Sequence, residues 1–276
     1  METLRVLSYL APSIPEDFFQ LVAQTLQSRI GVPVRLAFET RVSGPAPEAD
    51  PFAGDLADLA FVCAPSYPLL KKAGSPVELL PVAPVFLDPR AENRPVYFAD
   101  VVVHARHPAR TFADLRGAVW SYNDRYSRSG WQNMLARLNE LGHDGKPDSF
   151  FGELVQAGSH LRSLALVSQR RADAAAIDSN TLWIVRRRQP GLAGPLRVIE
   201  SWGPMPIQPL LARAGLDAAL KEQIAAVLLG LHRDPDLRSS LEHSGVRRFA
   251  PVEESTYEGI RALGIPDAAR SALPAG

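Results

Sequence analysis

"SFFGELVQAGSHLRSLALVSQRRADAAAIDSNTLWIVRRRQ", residues 149–189, decides the fold. Its first part is a short apolar strand running up to Gly158, after which "LRSLALVSQRRA" places apolar residues at helical spacing. "DAAAID" is a strand of small residues, and "SNTLWIVRRRQ" is the next helix. Strand, helix, strand, helix is the repeating unit of an α/β fold, in which helices connect strands that run mostly parallel.

The same alternation extends in both directions. Toward the N-terminus, "AVWSY" reads as a strand and "TFADLRG" as a short turn opened by Thr111, with "RPVYFADVVVHARH" a longer strand before it. "LRVLSYL", "PSIPEDFFQLVAQTLQSRIG" and "VPVRLAFE" open the chain as strand, helix and strand, the helix closing at Gly31. Residues 43–54, "SGPAPEADPFAG", form a loop, and "DLADLAFVCA" is a buried strand running into the short helix "PSYPLLKKAG". Toward the C-terminus, "LRVIESWGPMPIQPLLARAG" is a proline-punctuated strand, followed by two helices in "AALKEQIAAVLLGLHRDPDLRSSLEHSG" and a short one after "FAPVEE".

With 276 residues, 46% of them hydrophobic, the chain can bury a sizeable core and divide into two lobes. Thirty basic and thirty acidic residues cancel, so no overall field draws it to nucleic acid or an anionic membrane. A single cysteine, Cys63, excludes an internal disulfide and any multi-cysteine metal site. No run approaches the roughly 18 apolar residues that cross a bilayer, so no membrane insertion is expected. "METLRVLSYLAPS" lacks the basic, apolar and small-residue succession of an export signal, so the expected location is cytoplasmic as written, or periplasmic if a leader has been removed. Walker and dinucleotide-binding glycine loops and the G-x-S-x-G elbow are all absent, and His104 and His107 sit on a strand at a spacing that separates them. Neither cofactor nor metal is expected.

Polar residues collect where strands hand over to helices, the place where open α/β sheets bind ligands. These are Ser66 and Tyr67, Ser127 to Gly130, Gly158 to His160, and Asp178 with Ser179. Each also has a structural explanation. Ser129 with Gln132 fits a capping box, and Asp178 fits a helix cap. Tyr67 and Tyr97 fit core aromatics with a polar tip, His160 a surface histidine, and Cys63 a small buried group. Capping does not account for Ser127 or Arg128, and a helix start with spare N–H groups and hydroxyls fits an anion.

The order of these clusters, with "DLADLAFVCAPSY", "YFADVVVHARHP", "TFADLRGAVWSYND", "SRSG" and "AGSHLRSLALVSQRRADAAAID", resembles the phosphate, phosphite and phosphonate substrate-binding proteins of ABC transporters, the PhnD-like branch of the type II periplasmic-binding fold. The resemblance implies two α/β lobes, each a mixed, mostly parallel sheet flanked by helices, with a ligand cleft between them. Lobe 1 would comprise residues 1–100 and 206–276 and lobe 2 residues 101–205, the crossing segments lying near 98–104 and 197–206. It also implies a ligand site of Tyr67, Tyr97, Ser127, Arg128, Ser129, His160 and Asp178.

Three departures stand out. Arg128 replaces the threonine usual in "SRSG", the 43–54 loop stands where relatives carry a helix with another ligand-facing tyrosine, and the export signal is missing. The implied partner is a small anionic or zwitterionic ligand, since Asp178 in the cleft favours one that keeps a proton or carries an amine. An ABC permease or a sensor protein would receive the closed form, and the protein would act as a monomer. The alternative is catalysis in the same cleft, as in relatives from menaquinone and thiamine-precursor biosynthesis.

Overall fold

In the computed structural model, which describes residues 3–260, the first third of the chain forms β1 (Leu4–Ser8), α1 (Glu16–Ile30), β2 (Val34–Phe38), β3 (Leu59–Phe61), α2 (Ser66–Lys72), β4 (Val77–Leu79) and β5 (Val82–Phe86). The middle follows as β6 (Val96–His104), β7 (Val119–Tyr122), α3 (Asn133–Glu140), β8 (Glu153–Gln156), α4 (His160–Ser168), β9 (Ala174–Asp178), α5 (Ser179–Arg188) and α6 (Pro190–Ala193). The chain returns through β10 (Leu196–Pro206), β11 (Leu210–Arg213), α7 (Ala218–Gly230), α8 (Pro235–His243), β12 (Val246–Pro251) and α9 (Ser255–Glu258). The tail expected beyond that short helix, from residue 261, lies outside the described residues.

Local chemistry sets the boundaries. α1 carries Glu16 and Asp17 in its first turn, where they oppose the helix dipole, and it stops at Gly31, whose φ of 77° is left-handed and costs glycine little. Thr111 opens the turn before β7, as the sequence suggested, and does so through a reciprocal capping box with Asp114. β4, β5 and β12 have no counterpart in the sequence reading. β4 is only three residues long, and β5 is buried at all five positions, so neither shows a readable alternation.

Two five-stranded sheets carry the two lobes, in the orders β2-β1-β3-β11-β4 and β10-β6-β9-β7-β8, with β12 and β5 as a separate pair. Each large sheet is mixed. β1 pairs in parallel with β2 and β3, and β7 with β8 and β9, while β11, β6 and β10 pair antiparallel. Within the second sheet the period of two is plain: Val101, Val103, Ala174 and Ala176 face a cluster with Phe112 and Trp120, while Val102, Ala175 and Ile177 face one with Leu164 and Val167. β6 and β10 run side by side, residues 96–104 against 196–206, as the longest pairing, register-shifted at two points on β10.

Candidate functional site

The six parallel strands of the two sheets all aim their carboxyl ends at one cavity. From the first sheet, Tyr9 follows β1, Thr40 and Ser43 follow β2, and Cys63 follows β3. From the second, Asn123 and Asp124 follow β7, Gly158 to His160 follow β8, and Asp178 ends β9. This convergence is the general rule for open α/β sheets applied from two sides. The room left for the centre of a water-sized group is about 20 Å³, little more than one water needs.

The segment "SRSG" does not form the capping box that its spacing suggests. Ser127 is the cap: its Oγ accepts from the Gly130 N–H at 3.0 Å, and the turn Arg128–Gln132 is a π-turn, with the Gln132 N–H reaching back to the Ser127 carbonyl at 3.1 Å. Gln132 offers no return bond, both atoms of its buried amide lacking a partner among the described residues. Ser129 is thereby released from capping and turned inward. Single π-turns of this kind recur at functional sites, because they re-aim side chains at the start of a helix.

Ser129, His160 and Asp178 meet there. Ser129 Oγ lies 3.1 Å from His160 Nε2 and also donates to Asp178 Oδ1, while Ser127 Oγ is 3.5 Å from Ser129 Oγ. His160 Nε2 is 3.4 Å from Asp178 Oδ1, and Gln208 Nε2 donates to Asp178 Oδ2 at 2.7 Å. This is not a nucleophile triad. In a triad the carboxylate holds the far ring nitrogen and the serine the near one; here both partners share Nε2, and the buried Nδ1 has no partner among the described residues. His160 is 4% exposed, so the surface reading of this residue fails. Its helix is capped by Ser159, which accepts from Arg162 N–H at 3.2 Å.

Of the remaining expected residues, Tyr97 is 1% exposed on β6, and its hydroxyl has no hydrogen-bond partner among the described residues. Burial, with Asp178 and Cys63 nearby, holds its pKa well above the ordinary phenol value, and the Arg128 charge acts in the opposite sense. Arg128 itself is half-buried, and its backbone N–H donates to Cys63 Sγ at 3.3 Å. Tyr67 has its own partners: its hydroxyl donates to Glu254 Oε1 at 2.6 Å and its ring packs edge-on against Tyr257. Of the seven expected residues, Ser127, His160 and Asp178 line the cavity itself, while Ser129, Arg128, Tyr97 and Tyr67 do not.

Cys63 lines the cavity, but burial and the Asp178 and Asp124 carboxylates push its thiol up to about 12, so it remains a protonated, unreactive group at neutral pH. Sequence reasoning passed over Tyr9, Ser13, Thr40, Ser43, Asn123, Asp124 and Gln208. Of these, Asn123 and Asp124 stood within the polar stretch already singled out; the others come from loops whose approach depends on tertiary packing.

Comparison with known proteins bears on this geometry. Residues 4–257 match a family model described as the periplasmic substrate-binding protein of ABC phosphonate transporters. A binding-protein component of an ABC phosphonate transporter from Pseudomonas aeruginosa superposes with a TM-score of 0.79 at 14% identity, over 92% of this chain and 83% of that one. PhnD1 from Prochlorococcus marinus, in complex with methylphosphonate, gives 0.73 at 15% identity over 93% and 95%. A Xanthomonas citri protein bound to chloride ion gives 0.65 at 18% identity over 93% and 94%.

Proposed function

The chain belongs to the family of periplasmic substrate-binding proteins of ABC phosphonate transporters, and from that premise we propose that its interlobe cavity captures a small phosphorus oxyanion of the methylphosphonate type for delivery to a membrane permease. Proteins of this family bind their ligand and release it unchanged, so the site is asked for recognition and not for chemistry. On this reading residues 1–100 and 206–276 form one lobe and 101–205 the other, the protein acts as a monomer in the periplasm, and closure is driven by a ligand that both lobes touch.

The observation that carries the proposal is the convergence of six strand ends from two sheets on one small polar cavity. Ser127 and His160 supply donors to the anion, and Ser129 joins them on giving up its bond to Asp178. Tyr97, whose hydroxyl is buried without a partner among the described residues, is a further donor on this reading. Arg128 contributes its charge to the same region. Tyr67, bonded to Glu254, takes part only after a change of partner.

Asp178 bears on ligand class. Both of its oxygens already receive donors, from Ser129 on one side and Gln208 on the other. A carboxylate so supplied does not require an amine from the ligand, so a compact monoanion is favoured over an aminoalkyl phosphonate.

Calorimetric titration with methylphosphonate, phosphite, phosphate, 2-aminoethylphosphonate and sulfate tests this. Methylphosphonate or phosphite is expected to bind more tightly than 2-aminoethylphosphonate, and Ser127→Ala with His160→Ala to weaken binding at least tenfold, the cost of a lost hydrogen bond to a charged group. Unchanged affinity in that double variant overturns the site assignment.

A further inference from the structure

Asp124 belongs to none of the roles above, yet it is 1% exposed and its carboxylate is the most heavily bonded group at the cavity. Oδ1 accepts from Tyr126 N–H at 2.8 Å and Ser43 Oγ at 3.1 Å; Oδ2 accepts from Ser43 N–H at 3.0 Å and Asn123 Nδ2 at 3.1 Å. Two of these donors come from its own segment after β7 and hold the carboxylate in place. The other two come from Ser43, 81 residues earlier, in the loop that follows β2 of the opposite sheet.

Ser43 is in turn fastened to its own lobe, because its carbonyl accepts the Cys63 N–H at 2.8 Å beyond the end of β3. A continuous chain of bonds therefore runs from β3 through Ser43 and Asp124 to the end of β7. Other contacts that join the two sides at the cavity include the His160 N–H to Ser13 Oγ at 3.2 Å, the Arg128 N–H to Cys63 Sγ at 3.3 Å and Gln208 Nε2 to Asp178 Oδ2 at 2.7 Å. The first two have neutral acceptors, and hydrogen bonds to a carboxylate are roughly twice as strong. Ser43 gives two such bonds to one carboxylate where Gln208 gives one.

We propose that Asp124 is a positioning residue that latches the two lobes, by taking both donors of Ser43 across the cleft, and so sets how long a bound anion is held. The inference rests on the cleft reading above for what is held, but the latch itself is a property of the protein's shape. It assigns Asp124 to closure and to the rate of ligand escape, leaving recognition to the serines and His160.

Small-angle scattering on the purified chain, compared with Asp124→Ala, Ser43→Ala and Ser43→Thr at temperatures well below unfolding, tests the latch without reference to any ligand. The radius of gyration is expected to rise in Asp124→Ala, to rise less in Ser43→Ala, which keeps the backbone donor, and to return toward the unmodified value in Ser43→Thr, which restores a hydroxyl. In parallel, stopped-flow release of methylphosphonate is expected to be at least tenfold faster in Asp124→Ala with association changed by less than about threefold, as most interface changes act on dissociation. If Asp124→Ala does not fold, the Ser43 pair of variants decides alone. Identical radii and identical release rates across the series overturn the latch. A shift in radius without methylphosphonate binding by any variant or the unmodified chain retains the latch and overturns the functional reading instead.

Discussion

Ser129 stands where a helix-capping serine and an anion-binding serine look the same along the chain. What separates them is two residues of displacement: Ser127 takes the Gly130 N–H, and Ser129 turns toward His160 and Asp178. The same scale accommodates a pH effect. Burial lifts the Asp124 carboxyl to about 6, against the donors from Tyr126 and Ser43 and the His160 charge, which pull it down. Its other titratable neighbours are Cys63 and Tyr126.

An unfolded aspartate titrates near about 4, so the folded state holds the extra proton between about 4 and about 6. The contribution of this group is therefore fully present below about 4 and is lost as pH rises through about 6, on the order of 2 kcal/mol. Carboxylates held low by arginines or lysine, such as Asp58, Asp88 and Glu254, act in the opposite sense at lower pH. Chemical unfolding of the unmodified chain and Asp124→Asn between pH 4.5 and 7 is expected to show a stability difference that changes by about that amount, and a difference flat with pH would contradict it.

At the scale of elements, the site depends on the π-turn between β7 and α3. Gly130 is needed there for space, not for an unusual φ: a Cβ at this position would run into Asn123 Oδ1. Asn123 is 3% exposed, and its amide nitrogen is tied to Asp124, so it cannot simply swing aside. Gly130→Ala is expected to cost about 1–3 kcal/mol, the usual range for overpacking, and to weaken anion binding along with stability. Thermal unfolding and titration on the same sample measure both. The helices and their ends were legible from the chain, as at the Gly31 stop and the turn opening at Thr111. The π-turn was not, because its extra residue is imposed by where Ser127, Asn123 and the end of β7 are held, and no local propensity encodes it.

At the scale of the whole molecule, β6 and β10 form the longest strand pairing, and a half-buried ionic cluster braces them. Arg90 reaches Asp88 at 2.9 Å and Asp100 at 2.8 Å, and Ser201, opposite Asp100 in the register, donates to it at 2.6 Å. Asp100 is fully buried, so removing the arginine leaves its charge with fewer partners. Arg90 is exposed to solvent, which screens its charge, so Arg90→Ala is expected to cost about 1–2 kcal/mol, mainly from the buried Asp100 carboxylate losing a donor, read as a lower urea midpoint with an unchanged slope.

The sequence by itself determined the alternation of strands and helices and the absence of a net charge. It also placed Ser127, Ser129, His160 and Asp178 at the ends of strands, because periodicity and turn chemistry are local properties. Only the tertiary structure decided that Ser127 is the cap, that Tyr67 bonds to Glu254, and that Ser43 reaches Asp124 across 81 residues. Those outcomes depend on which distant groups compete for the same donor or acceptor once two sheets are brought face to face, and that competition has no counterpart in the order of residues along the chain.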